Sequence, residues 1–372
     1  MITDQVLNLA VDRGLISAAQ AEGLRGLARE NGAPDLPPPL PTAPRDEIGE
    51  PDAERLRFVT GFADIFVTMG LALFFGAAAY LLSLYVVGAT LWAIVAALAW
   101  ILAEFFTRRR RMALPSIVLL ALFSIAVFGT AFELMMRPEP RSYADWLPVW
   151  QTRFWSIEHA RDIVVAAVVS AIFVALHYWR FRVPITVAAG AAALVTAATA
   201  ALDWLLPYAS WTMHNGLMLL CGLFVFALAM RFDMSDPERR TRRTDIAFWL
   251  HLLAAPLIVH PLITALLQGY ALETKLNTAS AIAILGIFFA LGIVSVIIDR
   301  RALLVSGLIY AGLAFGTLIE QTALADKAIP ASILILGLFI LLLSAGWRPL
   351  RRSLLHLLPA PFTRRLPNPL SP

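Results

Sequence analysis

Charge is scarce and cysteine almost absent in this chain of 372 residues: Asp, Glu, Lys and Arg together supply 15%, and Cys221 is the one thiol. A lone cysteine excludes an intrachain disulfide and a cysteine-based metal site. Catalytic signatures are missing too. There is no H-E-x-x-H, no G-x-S-x-G, no P-loop and no Asp-rich phosphoryl motif, so neither an enzyme nor a cofactor is expected. A signal peptide is not expected either, because Met1-Ile2-Thr3-Asp4 lacks a basic region and no long apolar run begins before about residue 58.

What is present is apolar. Hydrophobic residues make up 59% of the chain and the mean hydropathy is +0.73, outside the range of soluble domains. The sequence pI of about 9.5 does not point to nucleic acid, because the arginines fall in short clusters between apolar runs and no recognition motif accompanies them.

Ten apolar segments each approach the roughly 20 residues that cross a bilayer. They lie at about 60–83, 86–106, 113–134, 162–179, 184–206, 212–231, 246–269, 278–298, 302–320 and 328–346. The expected fold is all-α, a polytopic transmembrane helix bundle of about ten spans. Arg108 to Arg111, Arg180 with Arg182, the run RRTRR at 239–243, and Arg300-Arg301 fall in alternate short loops. By the positive-inside rule those loops, and both termini, are cytoplasmic.

Four regions follow from composition. Residues 1–32 read as a short cytoplasmic helical hairpin, with a stop at Gly14 and a capping box at Ser17-Ala18-Ala19-Gln20 opening the second helix. Two short helices bury little surface alone, so this hairpin is expected to dock on the bundle, another copy or a protein partner. Residues 33–57 form a Pro-rich acidic linker, with seven prolines between 33 and 52. The transmembrane domain occupies 58–347, and the basic, amphipathic tail 348–372 is expected on anionic lipid at the cytoplasmic face. A long external connection at 135–161 places Trp146, Trp150 and Phe154 at helical spacing, which suits an aromatic helix anchored in the outer interface.

Small residues in VAAGAAALVTAATAAL at 187–202, in Ala72-x-x-x-Gly76 and in Gly312-x-x-x-Gly316 predict interior helices or, alternatively, a dimer face. Ionisable residues in hydrocarbon are usually paired or functional. Asp64 and Glu104 sit toward the cytoplasmic ends of the first two spans, where they either share a proton or pair with Arg57 and the 108–111 cluster. Glu133, Asp162, Asp203 and His214 gather toward the outer side.

The seventh span, with FWLHLLAAPLIVHPL at 248–262, carries His251, Pro256, His260 and Pro261. Nine residues of helix separate the two histidines by about 13 Å and turn them to opposite faces, so they cannot share one metal. Each proline frees a carbonyl, of Leu252 and of Leu257, and predicts a kink or unwound patch near mid-membrane. His260 then either lines a wet cavity or hydrogen-bonds to an adjacent helix.

The segments RGLISAAQAEGL at 13–24 and RLRFVTGFADIFVTMGLALFFGAAAYLL at 55–82 resemble the bacterial predicted membrane proteins of domain-of-unknown-function family 2157, over about the first quarter of the chain. The resemblance implies a polytopic protein of the bacterial inner membrane and brings no functional residues. The function expected is a non-enzymatic membrane scaffold or regulator that contacts a partner through its N-terminal module. The alternative is a small-solute or ion transporter or permease using the kinked seventh span with Asp64 and Glu104. Against transport, the second span has no proline to match the seventh, so the paired broken helices of inverted-repeat transporters are missing.

Overall fold

Inside hydrocarbon every backbone N–H and C=O must find its partner within the segment, which an α-helix achieves over a run of about twenty apolar residues. A computed structural model of the chain has that character: it is helical throughout, with no strand among the described residues. The structure describes residues 62–136, 159–236, 241–266, 277–322 and 325–359, together with most of 7–30. The linker at 33–57 and the aromatic segment around Trp146 and Trp150 lie outside the described residues.

The chain divides into two units, Met1–Asp52 and Ala53–Pro372. In the first, α1 (Ala18–Glu30) starts at the expected capping box. The Ser17 amide donates to Gln20 Oε1 at 2.8 Å and the Gln20 amide donates to Ser17 Oγ at 3.2 Å. Both donors belong to the group that a helix start leaves without partners.

In the second unit the helices are α2 (Phe62–Ser83), α3 (Ala89–Ala103), α4 (Ala113–Met135), α5 (Ala160–Phe181), α6 (Ile185–Leu205) and α7 (Trp211–Met234). They continue as α8 (Arg242–Leu266), α9 (Thr278–Ile298), α10 (Ala302–Val305), α11 (Leu308–Ile319), α12 (Ala328–Ala345) and α13 (Trp347–His356). Neighbours in sequence pack against each other, so the core passes along the chain. Leu71, Val95 and Leu119 join α2 to α4; Val225, Ala229, Leu250 and Ala254 join α7 to α8; Val259, Ile284, Ala311 and Trp347 join α8 to α13. Half of the α8 span is buried, against 11% for α2 and for α12. α8 is the most buried of these spans and touches α6, α7, α9 and α10.

The all-α polytopic bundle is as expected, and several of its details were not. Nine helices among the described residues are long and apolar enough to cross a membrane, and the ninth expected segment, 302–320, is broken into α10 and α11. The break falls at Ser306-Gly307, a pair that commonly bends helices. Gly307 is required there, because a Cβ on it would lie 2.8 Å from the Phe288 ring. The seventh span, by contrast, is not unwound: α8 runs without interruption through Pro256 and Pro261. Gly222 explains how the proline stretch is accommodated, since a Cβ there would sit 2.9 Å from the Leu257 backbone, so α7 and α8 lie almost backbone to backbone. The helix with the most small residues, α6, is not enclosed, as only 22% of its span is buried. Its side chains are too short to fill the space beside α5 and α7, and a groove remains. Finally, one face of the C-terminal tail rests on protein. Trp347, Arg351 and Leu355 of α13 are buried, Trp347 donates Nε1–H to Asp299 Oδ1 at 2.7 Å, and Arg301 stacks over the Trp347 ring at 4.9 Å.

Candidate functional site

The most deeply buried polar group in the bundle is a triad from three places in the chain. Asp233 lies in the last turn of α7, His251 a third of the way along α8, and Arg300 just past the end of α9. Their relative exposures are 1%, 0% and 1%. Arg300 donates Nε–H to Asp233 Oδ2 at 3.0 Å and a terminal guanidinium N–H to Asp233 Oδ1, while His251 Nε2 lies 2.9 Å from Oδ2.

Local structure aims each member. Asp299 takes a left-handed conformation at φ 58, which ends α9 and turns the chain back on itself. Arg300 is then held by its own backbone, its amide donating to Ser295 O at 2.9 Å and its carbonyl accepting from Ser295 Oγ at 2.5 Å. On the acid's side, Asp236 Oδ2 accepts from the Thr241 amide at 2.8 Å and from the hydroxyls of Thr241 and Thr244 at 2.6 and 3.0 Å, and Thr241 Oγ1 caps α8 by accepting from the Arg243 amide at 3.2 Å. The His251 ring packs against Phe226 at 5.3 Å.

A carboxylate and a guanidinium out of water each lose several kcal/mol of solvation, and the pair persists only because two parallel hydrogen bonds and their mutual attraction offset that loss. His251 adds a third contact to the same carboxylate. The chemistry this favours is clamping, since one acid ties together α7, α8 and the α9–α10 turn. It does not favour metal binding: no group of three His, Cys, Asp or Glu able to hold an ion occurs among the described residues.

The other expected site residues go elsewhere. His260 Nδ1 lies 2.7 Å from the Tyr310 hydroxyl on α11, an interhelical bond of its own. Pro261 is buried and Pro256 exposed. Glu104 opens the π-helical stretch Glu104–Arg109 that ends the second span, and pairs with Arg180 at 2.8 Å and with Arg108 at 3.2 Å. Asp64, 1% exposed, accepts from the Ala113 amide at 3.3 Å at the start of α4. The outer-side group resolves into separate contacts: His214 Nε2 with Asp203 Oδ1 at 2.5 Å, and Asp162 with Arg161 and His159. The contacts Asp64–Ala113, Glu104–Arg180, Asp233–Arg300 and Asp299–Trp347 gather one set of helix ends, which with Arg108–Arg111, Arg182, Arg242 and Arg301 forms a basic end of the bundle.

Three residues carry more than the sequence suggested. Arg300, expected only as a loop charge that sets topology, is buried in the clamp. Asp233 was not singled out; an acid inside the last turn of an apolar run is the signal that marks it. His177 was missed as well. It is 1% exposed on α5, ringed by Trp100, Phe123 and Phe181 at centroid distances of 5.8, 5.5 and 4.5 Å, and neither ring nitrogen meets a hydrogen-bond partner among the described residues.

Nine apolar membrane-length helices among the described residues, several of whose buried polar groups are tied between helices, define a multi-pass integral membrane protein. No protein-family model, no curated protein and no solved structure matches the chain, so the resemblance to family 2157 rests on the two segments quoted above.

Proposed function

We propose that the protein is a non-enzymatic membrane scaffold or regulator of the bacterial inner membrane, with both termini in the cytoplasm. The bundle is its anchor and the N-terminal module meets a protein partner. The observation that carries this reading is the way the membrane-embedded polar groups are used. Asp233 with His251 and Arg300, His260 with Tyr310, and Glu104 with Arg180 close between helices at separate places. Groups engaged in this way brace a bundle, whereas a solute path needs polar groups that converge on one cavity and exchange partners. The arginine-rich basic end supports the cytoplasmic placement of the termini.

The test uses the full chain in cells, with a photo-crosslinking amino acid at Leu24, which is 42% exposed on α1. One discrete protein adduct is expected, and a chain deleted for residues 2–50 should still insert and unfold at the same denaturant midpoint while losing that partner. Absence of any adduct from Leu24 or from neighbouring Glu22, or degradation of the deleted chain, would overturn the proposal.

A further inference from the structure

We propose that the groove between α5, α6 and α7 is a site for one anionic phospholipid of the leaflet that borders the basic end. The groove has a volume of about 600 Å³ and opens to the surface of the bundle, within the range that holds a ligand of several hundred daltons. Gly190, Ala191, Leu194, Leu220, Phe224 and Leu228 are among its lining residues. Its length suits an acyl chain of one leaflet. From Thr186 to Val195 the lining helix α6 rises about 13 Å, close to half of a hydrocarbon core roughly 30 Å thick.

The upper end of the groove changes character. Tyr178 lines both the groove and a second basin of about 470 Å³, whose other lining residues are Trp179, Arg182, Pro184, Arg242 and Ile246. Two arginines therefore share one basin with no carboxylate in its lining, and neither makes an ion pair among the described residues. Like charges so placed favour an anion between them, and a guanidinium matches a phosphate by paired hydrogen bonds. Arg182 is held at φ 53 and its amide donates to Tyr178 O at 2.8 Å, so its place at the end of α5 is set by the backbone. A third, independent feature lies between the two compartments. Thr186, in the first turn of α6, lines the groove and is 1% exposed, and its hydroxyl has no hydrogen-bond partner among the described residues. A buried hydroxyl without a partner is unfavourable, and a lipid ester carbonyl at that depth would accept from it. Trp179, 73% exposed beside the arginines, is the residue type that settles at the headgroup level.

The occupant is thus a diacyl lipid with a phosphate head, one chain in the groove and the phosphate on Arg182 and Arg242. Free phosphate would use the arginines but not the groove. The test is native mass spectrometry of the full chain in detergent, titrated with phosphatidylglycerol and with phosphatidylcholine. Specific retention of phosphatidylglycerol is expected. At about a factor of five per arginine, the double variant Arg182→Gln/Arg242→Gln should bind it roughly twenty-five-fold more weakly. A charge-matched control, Arg109→Gln/Arg110→Gln, at the same end should bind as the parent does. Filling the groove with Gly190→Leu should also abolish retention; if that variant unfolds, the arginine pair and its control decide the matter. Equal binding by the double variant and parent, equal loss in the control, or displacement by millimolar inorganic phosphate of a ligand that Gly190→Leu leaves unaffected would each overturn the assignment.

Discussion

Removing the acid from the buried clamp tests the packing account where its magnitude is largest. Asp233→Ala leaves the Arg300 guanidinium, 1% exposed, with no carboxylate, and takes from His251 the partner at 2.9 Å. Breaking a buried pair from one side costs about 3–5 kcal/mol. Asp233→Ala is therefore expected to lower unfolding free energy by about 3–5 kcal/mol. A second arm separates charge from shape. Asp233→Leu/His251→Leu/Arg300→Met replaces all three with apolar side chains and should lie within about 1.5 kcal/mol of the parent or above it, because the lost solvation no longer has to be offset. Equilibrium unfolding in mixed micelles, followed by tryptophan fluorescence, measures both. A cycle between Asp233→Ala and Arg300→Met should show coupling of about 2–3 kcal/mol. An Asp233→Ala protein within about 0.5 kcal/mol of the parent would refute the reasoning, since it would mean Arg300 finds water or another acid.

Other consequences are open to the same kind of measurement. Gly222→Ala should destabilise by about 1–3 kcal/mol through overpacking against the Leu257 backbone, whereas Gly76→Ala, whose Cβ meets nothing within 4 Å, should be neutral within about 0.5 kcal/mol; equal effects would contradict the close approach of α7 and α8. His260→Phe and Tyr310→Phe remove the same 2.7 Å bond, so each should cost about 0.6–1.7 kcal/mol and the double variant no more than the larger single one; additive losses would show that the two rings act separately. In a Cys221→Ser background, an impermeant reagent outside intact cells should label Trp150→Cys but not Asp35→Cys or Pro237→Cys. Labelling at 237 would invert the topology.

Features governed by local chemistry were legible in the chain. The capping box at Ser17 and Gln20 needs only residues three apart, and the spans need only apolar runs matched to bilayer thickness, so both appear where expected. The break at Ser306-Gly307 was not anticipated because hydropathy treats serine and glycine as tolerable within a span, and the close approach of the Phe288 ring to Gly307 comes from another helix. The same limit hid the clamp. Asp233 and Arg300 are 67 positions apart and each lies at a span end, where a charge is usually met by water and headgroups. Only the left-handed turn at Asp299, which sends Arg300 back into the bundle, makes them partners. His251 stood out as a polar residue in an apolar run, but its distance to Asp233 is a property of how α7 lies on α8, which Gly222 permits. His177 was hidden because it lies near the end of a span, where a polar residue is ordinarily met by headgroups, while its ring turns inward to Trp100 and Phe181.

Proton and solute flux across reconstituted vesicles tests the central claim most directly, that the polar residues of the bundle brace it and do not conduct. With the full chain at known density and a pH-sensitive dye inside, the predicted leak equals that of protein-free vesicles, for the parent and for His251→Gln and His260→Gln alike. A protein-dependent flux that either substitution abolishes while unfolding free energy is unchanged would contradict the account and make α8 part of a pathway.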